Sequence, residues 1–197
     1  MGRREANRER MRTRLLEAAL ALFAERGYEA TTITDIAERA DVARQTVLNH
    51  YPHKRDFVLA WGASRRDRIA EQARLDGPAA ANLHRFFAAF ARMNEDEREL
   101  TRALHIGPRA DEARVYQWPV ADAVVAAVER GIEDGEFAAD LDARAAAEVV
   151  TAVYFDTLTR WLVDGPPPFD LGAALAARLD LVLTGLATRG SVPRIDY

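Results

Sequence analysis

The sequence predicts an all-α fold of about nine helices, divided between an N-terminal three-helix unit with a helix-turn-helix outline and a larger C-terminal helical domain. Three observations lead there. Apolar residues recur at helical spacing along nearly the whole chain, whereas no segment alternates as a half-buried strand does. Breaks fall at Gly77-Pro78, Gly107-Pro108, Gly135 and Gly165-Pro166-Pro167-Pro168. With 197 residues, 49% apolar and 29% charged, the chain is large enough to bury a core and ordinary enough to be globular.

The elements follow in order. Leu15, Leu16, Ala19, Leu22 and Phe23 form one apolar stripe, predicting a first helix over 5–26 that stops at Gly27, a residue suited to a helix C-terminus. Thr32 with Asp35 three residues on predicts a capped helix over 33–39, with Ile33, Ile36 and Ala37 inward. A turn around 40–43, plugged by Val42, leads to a third helix over 44–51 that buries Val47 and either Leu48 or Tyr51. Pro52 ends it, because proline pushes the preceding residue out of the helical region. Further helices are expected near 54–74, 79–94, 96–105, 109–132, 142–164 and 170–189, with Pro119 kinking the 109–132 segment.

Composition removes whole classes of function. Zero cysteines exclude disulfides, thiolate metal sites and cysteine nucleophiles, and four scattered histidines with no HExxH leave little for a metal. No GxSxG or phosphate-binding loop occurs, so the expectation is a protein that is not an enzyme and carries no cofactor. No apolar run approaches the roughly 20 residues of a membrane span, and no export signal is evident, so a cytoplasmic location is expected. Charge is uneven. Residues 1–74 hold 15 basic and 11 acidic side chains, a net +4, within a chain whose total is −4. A basic end on an acidic body suits a polyanion bound at one place. Of the 27 basic residues, Lys54 is the single lysine.

Two short helices joined by a tight turn and backed by a longer one outline a helix-turn-helix, whose second helix enters the DNA major groove. Its outward residues fit that role: Arg44 suits guanine, Gln45 and Asn49 suit adenine, and Thr46 adds a further donor. The run GYEATTITDIAERADVARQTVLNHYPHK, Gly27 to Lys54, resembles the DNA-binding domain of TetR-type transcriptional regulators. It matches their Gly-Tyr-x-x-Thr-Thr, Ile-Ala-x-x-Ala and Val-x-x-x-Thr patterns, then the aromatic-Pro-x-Lys ending; the likeness is strongest over residues 10–60. It departs at Ala43 and His53, where helix-capping serine or threonine is usual, at Leu48, where an aromatic is usual, and at His50, where tyrosine is usual.

The resemblance implies a DNA-binding domain over 1–55, linked by a helix running to about 74, and a ligand-binding and dimerisation domain over 56–197. On that reading His50, Tyr51 and Lys54 grip the phosphate backbone while Arg44, Gln45, Thr46 and Asn49 read bases, the usual division between positioning and specifying contacts. Lys54 would sit at a helix N-terminus, where phosphate oxygens are favoured. Thr32 and Thr34 are candidates for further phosphate contacts or for simple caps. Arg3 and Arg4 would form either a minor-groove arm or a solvated tail.

In the larger domain the last two helices carry more apolar surface than one core requires. Leu171, Leu175, Leu179, Val182, Leu183 and Leu186 make one stripe of the final helix; Ala174, Ala177 and Leu181 make another. Val149, Ala152 and Val153 likewise lie apart from Val150, Tyr154, Leu158 and Trp161. A homodimer is expected, with Val149, Val153, Leu175, Leu179, Val182 and Leu186 in its interface. Candidate lining for a small-molecule effector is Phe86, Phe90, Met93, His105, Tyr116, Trp118, Tyr154, Asp156 and Trp161. Asp156, inside an apolar run, needs a partner: a cationic ligand, Arg102 or Arg160.

The function expected is a homodimeric, sequence-specific regulator of transcription, a repressor released from a near-palindromic operator by a small molecule. The alternative is a helical carrier or enzyme that has lost operator binding, and a third reading is a module for a different protein partner. Two recognition helices would reach successive major grooves about 34–36 Å apart.

Overall fold

The computed structural model describes residues 2–72, 77–106 and 122–187, which form nine α-helices. The described residues fall into two compact units. One contains residues up to Asp67 together with 97–106; the other contains Arg68–Asp96 and 122–187. The first unit runs past residue 55 to Asp67 and takes in the helix over Arg98–Ile106, which packs on the first helix of the chain.

In the first unit, α1 (Arg3–Arg26) buries Leu15, Ala18, Ala19, Leu22 and Phe23. It begins two residues before the expected start, so Arg3 and Arg4 lie in its first turn. It ends at Gly27, whose φ of 86° favours glycine and whose N–H donates to the Phe23 carbonyl at 2.9 Å. α2 (Ile33–Arg39) opens with the predicted capping box: the Asp35 amide donates to Thr32 Oγ1 at 3.2 Å and the Thr32 amide to Asp35 Oδ2 at 2.7 Å. The turn to α3 (Arg44–His50) passes through Asp41 at φ 47°, and Val42 is only half-buried there. Ala43 gives α3 no side-chain cap. α4 (Arg55–Gln72) follows Pro52; Asp56 Oδ2 accepts from the His53 amide at 2.8 Å, which supplies half a capping box where His53 itself has no hydroxyl.

The second unit packs α5 (Ala79–Asp96), α7 (Asp122–Glu133), α8 (Ala143–Trp161) and α9 (Leu171–Leu186) around Leu83, Phe86, Phe87, Val128, Val150, Leu158 and Leu175. Aspartates at the N-caps, Asp142 and Asp170, accept amide protons at 3.0 and 2.7 Å and start α8 and α9. α5 is started from elsewhere: the amides of Ala79 and Ala80 donate to the Glu136 carboxylate at 2.7 and 3.2 Å. Beside it Gly131 of α7 lies under the Phe137 ring, so close that a Cβ there would meet ring carbons at 2.3 Å. α6 (Arg98–Ile106) belongs to the first unit. Pro119 lies outside the described residues.

Periodicity offered α9 two apolar stripes, and the fold takes one of them for the core. Leu171, Leu175, Leu179 and Leu183 are buried, while Leu181 is 77% exposed and Ala177 lies beside it on the outer face. Leu175 and Leu179, expected at a dimer interface, are therefore interior residues. On α8 the same sorting buries Val150, Tyr154, Leu158 and Trp161 and leaves Val149 52% exposed, with Ala145 and Ala152 on the same outer face. Val153, Val182 and Leu186 are half-buried.

Candidate nucleic-acid interface

α3 is held from behind and offers its polar face outward. Val47 is fully buried, whereas Arg44, Gln45 and Asn49 are exposed and Thr46 is half-buried. Gln45 Nε2 donates to Asn49 Oδ1 at 3.0 Å, so the two amides are aligned one turn apart on a single face. An exposed guanidinium, which donates only, and two amides that both donate and accept are the equipment needed to read base edges. On α2, Thr34 is exposed, while the Thr32 hydroxyl is engaged with Asp35, to which it donates at 2.8 Å. Hydrogen bonds from Thr32, amide first and then hydroxyl, and the nearby Arg26 guanidinium hold the Asp35 carboxyl below the usual aspartate value.

The predicted phosphate grip is differently arranged. Tyr51 is buried at 2% exposure, its ring stacked on Phe57 with centroids 4.0 Å apart and its hydroxyl donating to the Arg12 carbonyl at 3.3 Å. It is part of the core beneath α3, not a free hydroxyl for a phosphate. Burial pushes its ionisation up, with Arg12 opposing. Lys54 also points inward: its Nζ donates to the carbonyls of Tyr28 at 2.9 Å, Thr31 at 3.2 Å and Glu29 at 3.5 Å. Those contacts use the three protons of the ammonium, in place of the expected phosphate contact. Burial lowers its pKa from the ordinary lysine value, against the pull of Glu29.

His50 is half-buried at the end of α3, and its Nδ1 is enclosed without a hydrogen-bond partner. Burial, then Arg8 and Arg12, hold the imidazole below its usual pKa of 6.5. Arg12 Nη1 donates to the His50 carbonyl at 3.1 Å. Arg8 and Arg12 were not singled out by sequence, although their spacing of four residues places both on one face of α1.

The effector candidates are dispersed. Phe86, Phe90 and Tyr154 do meet, with centroids 5.2 Å apart for Phe86–Phe90 and 5.5 Å for Phe90–Tyr154, and Asn94 Nδ2 donates to the buried Tyr154 hydroxyl at 2.8 Å. Met93 is half-buried beside them on α5, and Trp161 is core at 2% exposure. Asp156 is on the outside of α8, bonded to Arg160 at 2.8 Å, which lowers its pKa; it does not enter the apolar interior. His105 is buried on α6, in the first unit. Tyr116 and Trp118 lie outside the described residues. The Thr151 hydroxyl on α8 is enclosed without a partner. Among the described residues no cluster of three or more His, Asp or Glu is placed to hold a metal, and no helix is long and apolar enough to cross a membrane.

The family model described as bacterial regulatory proteins, tetR family, matches residues 15–61, the span from the middle of α1 into α4. The transcriptional repressor KstR of Mycolicibacterium smegmatis is 30% identical over 97% of this chain and 93% of its own. KstR of Mycobacterium tuberculosis is 31% identical over 91% of this chain and 81% of its own. Among solved structures, Thermus thermophilus FadR, a transcriptional repressor crystallised with lauroyl-CoA, superposes with a TM-score of 0.73 at 26% identity, covering 94% of this chain and 100% of that one.

Proposed function

The chain belongs to the TetR family of bacterial transcriptional regulators, and from that premise we propose that it is a homodimeric repressor, released from a near-palindromic operator by a small-molecule effector. The observation that carries this reading is the exposed set Arg44, Gln45 and Asn49 on a helix seated by Val47 and Tyr51. Relatives named as repressors support repression over activation.

The two-fold contact is assigned to the outer faces of α8 and α9, where Val149 and Leu181 stand exposed among Ala145, Ala152, Ala173, Ala176 and Ala177. Small side chains let helices approach closely and form a bundle of four. The division of labour at residue 55 becomes a proposal about roles: residues 1–55 bind DNA, and the remainder binds effector and partner. For the effector, the packed rings of Phe86, Phe90 and Tyr154 favour a long apolar body, and FadR's lauroyl-CoA makes acyl thioesters the first class to try. A DNA partner places the protein in the cytoplasm. Release is a shift between two dimer states, set by the ratio of the effector's affinities for them.

Selection of bound fragments from random duplex DNA tests the reading. A consensus with two-fold symmetry is expected, with half-sites about one helical turn apart; recovery of no enriched duplex at low salt refutes it. Lauroyl-CoA is then titrated against the selected duplex, with displacement expected.

A further inference from the structure

We propose that Lys54 is a positioning residue, which fixes the start of α2 by holding the loop from Tyr28 to Thr31, and that it makes no contact with DNA. Its ammonium is surrounded by the carbonyls of Tyr28, Thr31 and Glu29 at 2.9, 3.2 and 3.5 Å, and sits 4.1 Å from the centroid of the Tyr28 ring. The loop it holds is also tied to the end of α1. The Tyr28 ring lies 5.2 Å from Phe23, and the buried Thr31 hydroxyl donates to the Gly27 carbonyl at 2.9 Å. Thr32 follows at once and opens the capping box of α2. Lys54 thus connects the entrance of α4 to the entrance of α2, across 23 to 26 residues of chain. α2 in turn packs against α3, so the position of the base-reading face depends on this bond set.

The choice of residue type supports the assignment. A chain that uses arginine for every other one of its 27 basic side chains uses lysine here. An ammonium is a compact donor whose three protons diverge from one atom, and it can serve three carbonyls at once. A guanidinium is a planar fork and cannot converge on the same point. For a phosphate contact either cation would serve.

The inference rests on the DNA-binding reading, and its test separates the two. Wild type, Lys54→Met and Lys54→Arg are titrated with the duplex selected above over a range of salt, with affinity expressed per folded molecule. Amide exchange is followed on the free proteins. Both variants are expected to bind about tenfold more weakly, with the wild-type dependence of log K on log salt, and to lose protection over residues 28–35. A salt slope shallower by about 0.9 in Lys54→Met, the value for one lost phosphate, overturns the proposal. So does full affinity in Lys54→Arg, or unchanged protection over 28–35 in both variants. If Lys54→Met does not fold, Lys54→Arg decides alone. If wild type binds no duplex, the proposed function fails and the exchange measurement still decides whether Lys54 holds the loop.

Discussion

Arg12 and Tyr51 hold each other twice: the guanidinium lies 4.7 Å from the ring centroid, and the tyrosine hydroxyl donates to the arginine's own carbonyl at 3.3 Å. A third bond, from Arg12 to the His50 carbonyl at 3.1 Å, satisfies an acceptor at the end of α3. Loss of Arg12 removes the cation–ring contact and leaves that carbonyl unserved. Arg12→Ala is expected to destabilise the protein by about 1–3 kcal/mol, read as an earlier urea midpoint, whereas Tyr51→Phe keeps the stacking and stays within about 1 kcal/mol of wild type.

The base-reading face makes a prediction about specificity. Arg44→Ala or Asn49→Ala is expected to relax preference at particular operator positions by about 1–3 kcal/mol each while leaving thermal stability unchanged, because both side chains are exposed. Competition among single-base operator variants measures it. Uniform weakening across all positions would assign these residues to the backbone instead.

α9 separates interface from core within one helix. Leu181→Glu, on the exposed edge, is expected to give a folded monomer by sedimentation at micromolar concentration. Leu179→Ala, at 1% exposure, is expected to keep the dimer and cost about 2–5 kcal/mol of stability.

His50 links stability to pH. Its pKa in the folded protein lies below the ordinary 6.5, so the unfolded chain takes up a proton first as pH falls. Stability is expected to be full above about pH 6.5 and to decline below it until the folded state also binds the proton. His50→Gln should flatten that part of the melting-temperature profile. An identical decline in both proteins would assign the effect elsewhere.

Gly131→Ala places a methyl 2.3 Å from Phe137 ring carbons and 2.8 Å from the Ala79 Cβ. The ring is buried and cannot swing clear, so destabilisation of about 1–3 kcal/mol is expected. Denaturant unfolding of the single variant and of Gly131→Ala with Phe137→Leu checks it, the second change restoring part of the loss.

Local signals carried the first fifty residues. Gly27 marks the end of α1, Thr32 with Asp35 marks the start of α2, and Pro52 ends α3, because each acts on backbone only a few residues away. What escaped was long-range. No local pattern says that Lys54 turns to carbonyls more than twenty residues earlier; helical spacing offers burial of Tyr51 as one of two alternatives, but its stacking on Phe57 is not legible there. Periodicity proposes two stripes on α9 but cannot choose which faces the core, since both have helical spacing. Of the partners offered for Asp156, Arg160 is the one it takes: the run around it is apolar, yet the helical turn carries it to the outer face, one turn from Arg160 and away from the apolar interior.

Glu136 closes the helical unit in a manner that restricts how its sequence can vary. Because one carboxylate from the bend after α7 occupies the leading amides of α5, more than fifty positions upstream, the two segments form a single joint. A residue inserted between Asp134 and Phe137 would carry that carboxylate out of reach and unwind the opening turn of α5. The joint thereby sets the number of residues in this bend.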